Sequence, residues 1–160
     1  MVAMNARDLI DKLALAPHPE GGWFREIHRS TARVETLRGS RSALTTIHYL
    51  LEQQQSSRWH VVEADEVWHF YAGAPLELLG YDPGTRHLTR HVLGDVRAGN
   101  VPVAVIETGI WQAARSLGDY SLVGCTVGPG FEFADFRFVA TLPGHAAHFA
   151  SDLAPFAQLL

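Results

Sequence analysis

From Ser42 onward the chain is a succession of short apolar runs, each closed by a turn cluster, and that rhythm leaves little room for helices. Strand signals fall on residues 44–51, 58–62, 67–71, 76–81, 87–93, 101–106, 111–113, 121–127 and 135–140. Between them sit Asp82-Pro83-Gly84, Leu93-Gly94-Asp95, Glu107-Thr108-Gly109 and Gly128-Pro129-Gly130, residues that reverse a chain at low cost. Many short strands with tight turns predict a β-sandwich or barrel, not a parallel sheet with crossover helices. One helix precedes them: Asn5 is placed to cap a segment from Ala6 to about Leu13, with Leu9, Ile10 and Leu13 on one stripe and Pro17 and Pro19 beyond it. The tail from Gly144 to Leu160 is rich in alanine, and Asp152 is a candidate cap for a last helix. No repeat or linker interrupts the 160 residues, so the expectation is one all-β domain over 1–160, its core at about 17–142.

The charge balance narrows the choice of partners. Thirteen basic and seventeen acidic residues leave a net charge of -4 with no basic stripe, so no nucleic acid is expected as a partner. No apolar run approaches a membrane span and no secretion signal opens the chain; no membrane association is expected, and a cytoplasmic location is. Cys125, the one cysteine, lies in an apolar strand and reads as a buried structural thiol. There is no nucleophile elbow, phosphate loop or dinucleotide fingerprint.

The segment Ser57–Gly73 carries the chemistry. Strand alternation puts Glu66, Trp68 and Phe70 on one face and Val67, His69 and Tyr71 on the other, so a carboxylate shares its face with two aromatic rings. Such a carboxylate either finds a partner or takes up a proton. His60 is the nearest imidazole in sequence on the preceding strand. His69 points away from Glu66 and reads as a surface or interface residue.

These residues resemble the cupin superfamily. Glu66 followed by Gly73 is similar to the first cupin motif, and Glu107-Thr108-Gly109-Ile110-Trp111-Gln112 echoes the second. The run Pro17-His18-Pro19-Glu20-Gly21-Gly22-Trp23-Phe24-Arg25-Glu26, the run Asp65–Gly73 and the run Leu122–Val127 with Pro129-Gly130-Phe131 resemble a small family of single-domain cupins. The resemblance implies a double-stranded β-helix, the cupin jelly-roll barrel, with a pocket inside the barrel and a homodimeric assembly. It also implies where a metal would sit: two histidines and a glutamate from the first motif and a histidine from the second. On this chain those positions are His60, Val62, Glu66 and Gln112, of which only His60 and Glu66 are strong ligands. His48 would complete a set of His48, His60 and Glu66 if its strand turned it inward, so a divalent transition metal remains an alternative to the cofactor-free reading.

His60 and Glu66 are therefore the expected catalytic acid–base pair. Burial raises the pKa of a carboxyl and lowers that of an imidazole, bringing both toward neutrality, where proton transfer is efficient. Against this stands the structural reading, in which the two groups bond each other or the backbone. Arg25, His48, Tyr49, Trp59, Trp68, Phe70 and Gln112 are the candidate ligand-binding residues, with Arg25 reaching a phosphate or carboxylate or else pairing with a nearby acid. His18, between two prolines, reads as a structural corner. Trp59, Trp68 and Trp111 are stacking surfaces or core, and Gly144–His148 reads as surface. Three functions follow: a metal-independent isomerase or epimerase acting on a small polar or sugar-like molecule, a metal-dependent oxygenase or lyase, and a non-enzymatic module that holds a small ligand.

Overall fold

In the computed structural model, which describes residues 4–141, 149 and 151–160, the predicted helix α1 spans Ala6–Leu13. Asn5 accepts from the Asp8 amide while the Asp8 carboxylate accepts from the Asn5 amide, a reciprocal capping box. The helix stops at Ala14, which is left-handed (φ 51°). Its buried Ile10, with Leu15, packs on Leu50 and Leu122 of the sheet below, so α1 is a docking element and contributes nothing to the barrel interior.

The strands are β1 (Ala16–Pro17), β2 (Trp23–Arg29), β3 (Arg33–Thr36), β4 (Gly39–Ser42), β5 (Thr45–Glu52), β6 (Ser56–Val62), β7 (Asp65–Gly73), β8 (Leu76–Asp82), β9 (His87–Leu93), β10 (Val103–Ile106), β11 (Trp111–Ser116), β12 (Tyr120–Gly128) and β13 (Phe136–Phe138). They form a sheet ordered β1-β2-β5-β12-β7-β10, a facing sheet ordered β13-β6-β11-β8-β9, and the separate hairpin β3-β4. All ladders between these strands are antiparallel, giving the expected jelly-roll sandwich. Sequence alternation places Tyr49, Leu51, Trp68, Leu76, Leu78, Leu93, Ile106 and Val123 between the sheets, where they fill one end of the barrel.

The smaller sheet is also covered on its outer face, which settles the role of two tryptophans. Trp59 and Trp111 pack there with Val61, Leu79, Tyr81, Phe149, Leu153 and Leu159. Trp59 is therefore core outside the lumen and does not reach a ligand in the barrel. Asp152 is not the cap of the last described helix, whose N-cap is Leu153; it accepts from the Tyr81 hydroxyl and pairs with Arg86, tying the tail to β8 and β9. The described tail ends in a 3-10 helix, Ala154–Leu159. The motif Gly144–His148 lies outside the described residues.

Two parts of the chain depart from the sequence pattern. The hairpin β3-β4 has almost no apolar alternation; long-range ion pairs dock it, with Arg38 and Arg41 both donating to the buried Asp135. Trp23–Arg29, ahead of the region where the strand signals begin, is a full strand, β2, paired to β5 from Trp23 opposite Leu50 to Arg29 opposite Thr45. Its ladder shifts between Glu26 and His28.

The corner that leads into β2 lies directly on β6. The Arg58 amide donates to the Glu20 carbonyl at 3.3 Å, and the Arg58 guanidinium donates to the Pro19 carbonyl at 3.1 Å. Gly21 has φ +113°, and a Cβ there would stand 2.1 Å from the Ser56 carbonyl oxygen, so both conformation and contact demand glycine. Gly21→Ala should lower the unfolding free energy by at least about 2 kcal/mol. Gly99→Ala, also at positive φ but with nothing within 4 Å of the new Cβ, should lose only about 1 kcal/mol. Urea denaturation of the two variants checks this; equal losses would mean that the corner does not press on β6.

Candidate active site

The end of the barrel that the core leaves unfilled is a cavity of about 690 Å³, counted out to its open mouth. Its walls are apolar: Phe24 and Ile47 from β2 and β5, Val62 and Val127 from β6 and β12, and Phe131, Phe133 and Phe136 from the segment that returns across the opening. Five ionisable side chains line its inner part: His18 and Glu20 from the corner, His60 from β6, Glu66 from β7 and the Cys125 thiol from β12.

Glu66 arrives there by the predicted alternation. It and Trp68 are buried, at 7% and 1% exposure, on the inner face of β7, with His69 on the opposite one. Gln112 sits opposite His60 across the β11–β6 ladder and bridges the pair on β7. The Trp68 indole N–H can only donate, so it fixes the Gln112 carboxamide oxygen at 3.0 Å; the amide nitrogen then donates to Glu66 Oε2 at 2.5 Å. Trp68 and Gln112 thus hold the carboxyl in place and do not line the cavity. Burial pushes Glu66 up from 4.5 to about 7, partly offset by His60 and raised further by Glu20.

His60, 2% exposed, has a defined tautomer. Its Nδ1 lies 2.7 Å from the Arg58 carbonyl oxygen, which can only accept, so Nδ1 carries the proton. The ladder makes this possible: β6 has an extra residue between Ser57 and His60 relative to β11. Nε2 is left facing Glu20 Oε2 at 3.4 Å. The ring stacks on Phe136 with centroids 5.0 Å apart, and burial lowers its pKa against the opposing influence of Glu66.

Glu20 and His18 are the residues that sequence reasoning missed. Glu20 Oε1 accepts from the Ser57 hydroxyl at 3.0 Å, and the Glu20 amide donates to His18 Nδ1 at 3.1 Å. His18 consequently bears its proton on Nε2 when neutral. Burial raises the Glu20 carboxyl and lowers the His18 imidazole. The only signal was a glutamate inside a Pro- and Gly-rich corner, a composition that ordinarily marks an exposed turn.

Several expected site residues lie elsewhere. Arg25 pairs in register with His48 and donates to the Leu13 carbonyl, outside the barrel. The arginine of β2 that lines the cavity is Arg29, not the candidate Arg25. His48 is likewise turned out: Thr45 and Ile47 line the cavity, whereas His48 lies against the Tyr71 ring at 6.0 Å. The set His48, His60 and Glu66 therefore does not converge. Tyr49 is fully buried beneath the corner, its hydroxyl donating to the Gly21 carbonyl at 2.7 Å. Phe70 packs into the filled end of the barrel.

The residues at the metal positions of a cupin do not fit a metal. Val62 offers no donor atom, and Gln112 presents its N–H₂, not its oxygen, toward Glu66. His60 Nε2 faces Glu20. Among the described residues no three His, Cys, Asp or Glu side chains are grouped to hold an ion.

A jelly-roll barrel with its ionisable residues inside one end defines a cupin-type protein. The chain belongs to the family described as Cupin superfamily (DUF985), whose model matches residues 7–139. It is similar to a protein of Shewanella oneidensis of known crystal structure, at 35% identity over 94% of this chain and 96% of that one, with a TM-score of 0.81. A hypothetical protein from Leishmania major is 32% identical over 84% of this chain and 86% of that one, with a TM-score of 0.78. Oxalate decarboxylase from Bacillus subtilis shares the fold alone, at 14% identity and a TM-score of 0.59 over 86% of this chain and 34% of that one. No curated protein matches the sequence.

The raised Glu66 pKa carries a stability signature. A carboxyl held above its unfolded value stabilises fully below that value and loses the contribution as pH climbs to the folded one. Between pH 4.5 and about 7, wild-type protein should therefore lose about 2–3 kcal/mol relative to Glu66→Gln, which has no proton to shed. Urea denaturation across that range measures the difference; a constant gap would place Glu66 at an ordinary pKa.

Proposed function

We propose that the cavity binds a small organic molecule and moves a proton at one of its carbons, an isomerase or epimerase reaction that requires no metal. The observation that carries this reading is the imidazole of His60, tautomer fixed by the Arg58 carbonyl, set beside two buried carboxyls in an apolar cavity. Glu66, raised to about 7, exists near neutrality both with and without a proton, which general acid–base catalysis needs, and burial shifts Glu20 in the same direction.

The roles follow from the geometry. Ionised Glu66, held by Gln112, takes the proton from a carbon next to a carbonyl or imine, breaking the C–H bond. The electrons move onto the carbonyl or imine heteroatom, which receives a proton from Glu20, the carboxyl restrained by Ser57. Where the carbon that lost its proton carries a hydroxyl or amino group, Glu66 returns the proton to the former carbonyl carbon while that group gives its own proton to Glu20 and becomes the new carbonyl or imine, so both carboxyls end as they began. In epimerisation the heteroatom gives its proton back to Glu20, and His60, relaying the proton taken by Glu66, protonates the same carbon on its opposite face. The apolar walls exclude water, which would otherwise quench the intermediate.

The alternative of a non-enzymatic binding module rests on the same apolar walls. The two readings separate in D₂O. Proton transfer predicts that protein incubated with a panel of aldoses, ketoses, keto acids and amino ketones exchanges C–H for C–D in at least one compound, followed by NMR. Glu66→Gln and His60→Gln should each slow that exchange about 10²-fold or more while keeping the fold. Undiminished exchange in either variant would remove the acid–base assignment. Compounds that bind without any exchange would favour the binding module.

A further inference from the structure

The charge and surface of the cavity mouth say what kind of molecule enters it. Arg29 is the one permanent cation among the described residues that line the cavity, and it is already engaged. Its Nε and Nη2 grip both oxygens of Glu26 at 3.1 and 2.9 Å, Nη1 donates to Glu132 at 2.9 Å, and Nη2 also donates to the Phe131 carbonyl at 3.1 Å. A guanidinium held by a bidentate carboxylate cannot turn to a phosphate or carboxylate without breaking that pair. One cation facing two carboxylates also leaves the mouth with a negative charge. Deeper in, Glu66 and Glu20 add negative charge whenever they ionise, and His60 is biased to the neutral form.

The rest of the lining points the same way. Phe24, Phe131, Phe133 and Phe136 surround the path from the mouth to His60. Aromatic faces attract a cation and give nothing to an anion, and their bulk accepts an apolar body. An anionic ligand would be desolvated there with no free counter-charge, the most costly arrangement in a low-dielectric site.

We propose that the natural ligand is an amine carried on an apolar body, bound as the ammonium with its charge at the Glu132 side of the mouth and its reacting part toward Glu66. This rests on the cavity being the ligand site, as in the proposed function, and narrows the substrate class from sugar-like polyols and phosphates to cationic, largely apolar compounds.

Three probes of one shape decide it: 2-phenylethylamine, 2-phenylethanol and phenylacetate, titrated by calorimetry against the full-length protein. The amine should bind at least about tenfold more tightly than the carboxylate, with the alcohol between them. Glu132→Gln should narrow the gap between amine and carboxylate severalfold, whereas Asp11→Asn, exposed on α1 and outside the cavity lining, should leave it unchanged. Carboxylate binding equal to or tighter than amine binding overturns the proposal, as does a gap that Glu132→Gln leaves intact, or failure of all three to bind. Circular dichroism confirms that each variant is folded. The deuterium-exchange experiment fails or succeeds separately: an anion preference with exchange intact sinks only the amine, and amine binding without exchange sinks only the catalysis.

Discussion

Two carboxyl groups, Glu20 and Glu66, are carried into one end of the barrel beside the imidazoles of His18 and His60, with no permanent cation among them. Each brings a large desolvation cost if charged. The structure meets that cost with fixed neutral donors, Gln112 for Glu66 and Ser57 for Glu20, while the Arg58 carbonyl accepts from His60 and sets its tautomer. Retained protons meet the remainder. The corner at Gly21, the extra residue in β6 and the Trp68–Gln112 bond all follow from the need to hold these groups.

The wall across the mouth is secured from the opposite side. Asp135, 5% exposed, accepts from Arg38 and Arg41 of the hairpin β3-β4, and Arg29 holds the Phe131 carbonyl and Glu132. These bonds pin the segment bearing Phe131, Phe133 and Phe136 over the cavity. The adjacent arginines depress the Asp135 pKa, so this clamp persists wherever the carboxylate stays ionised. A hairpin with little core of its own thus positions the rings that a ligand meets first.

The barrel was legible in the chain because strand alternation and turn chemistry are local. The inward placement of Glu66 and Trp68 followed from parity alone, and His60 from its neighbours. Parity failed where a choice of face depends on a partner strand. In β5 it left His48 open, and the β2–β5 pairing with its shift after Glu26 turns Arg25 and His48 outward and brings Arg29 in. Glu20 and His18 were hidden for another reason. Their burial comes from the corner pressing on β6, a contact between residues far apart in sequence that no local pattern encodes. Gln112 was visible as a departure from a metal ligand, but its role as a donor to Glu66 depends on the Trp68 indole opposite it.

The central claim is that Glu66 keeps its proton through the acidic range. The most direct test is an NMR titration of the side-chain carboxyl carbon of Glu66 in ¹³C-labelled protein, assigned against Glu66→Gln. The account predicts a midpoint raised from 4.5 to about 7. A midpoint that stays at 4.5 would mean a carboxylate ionised like any surface glutamate, and would contradict the account.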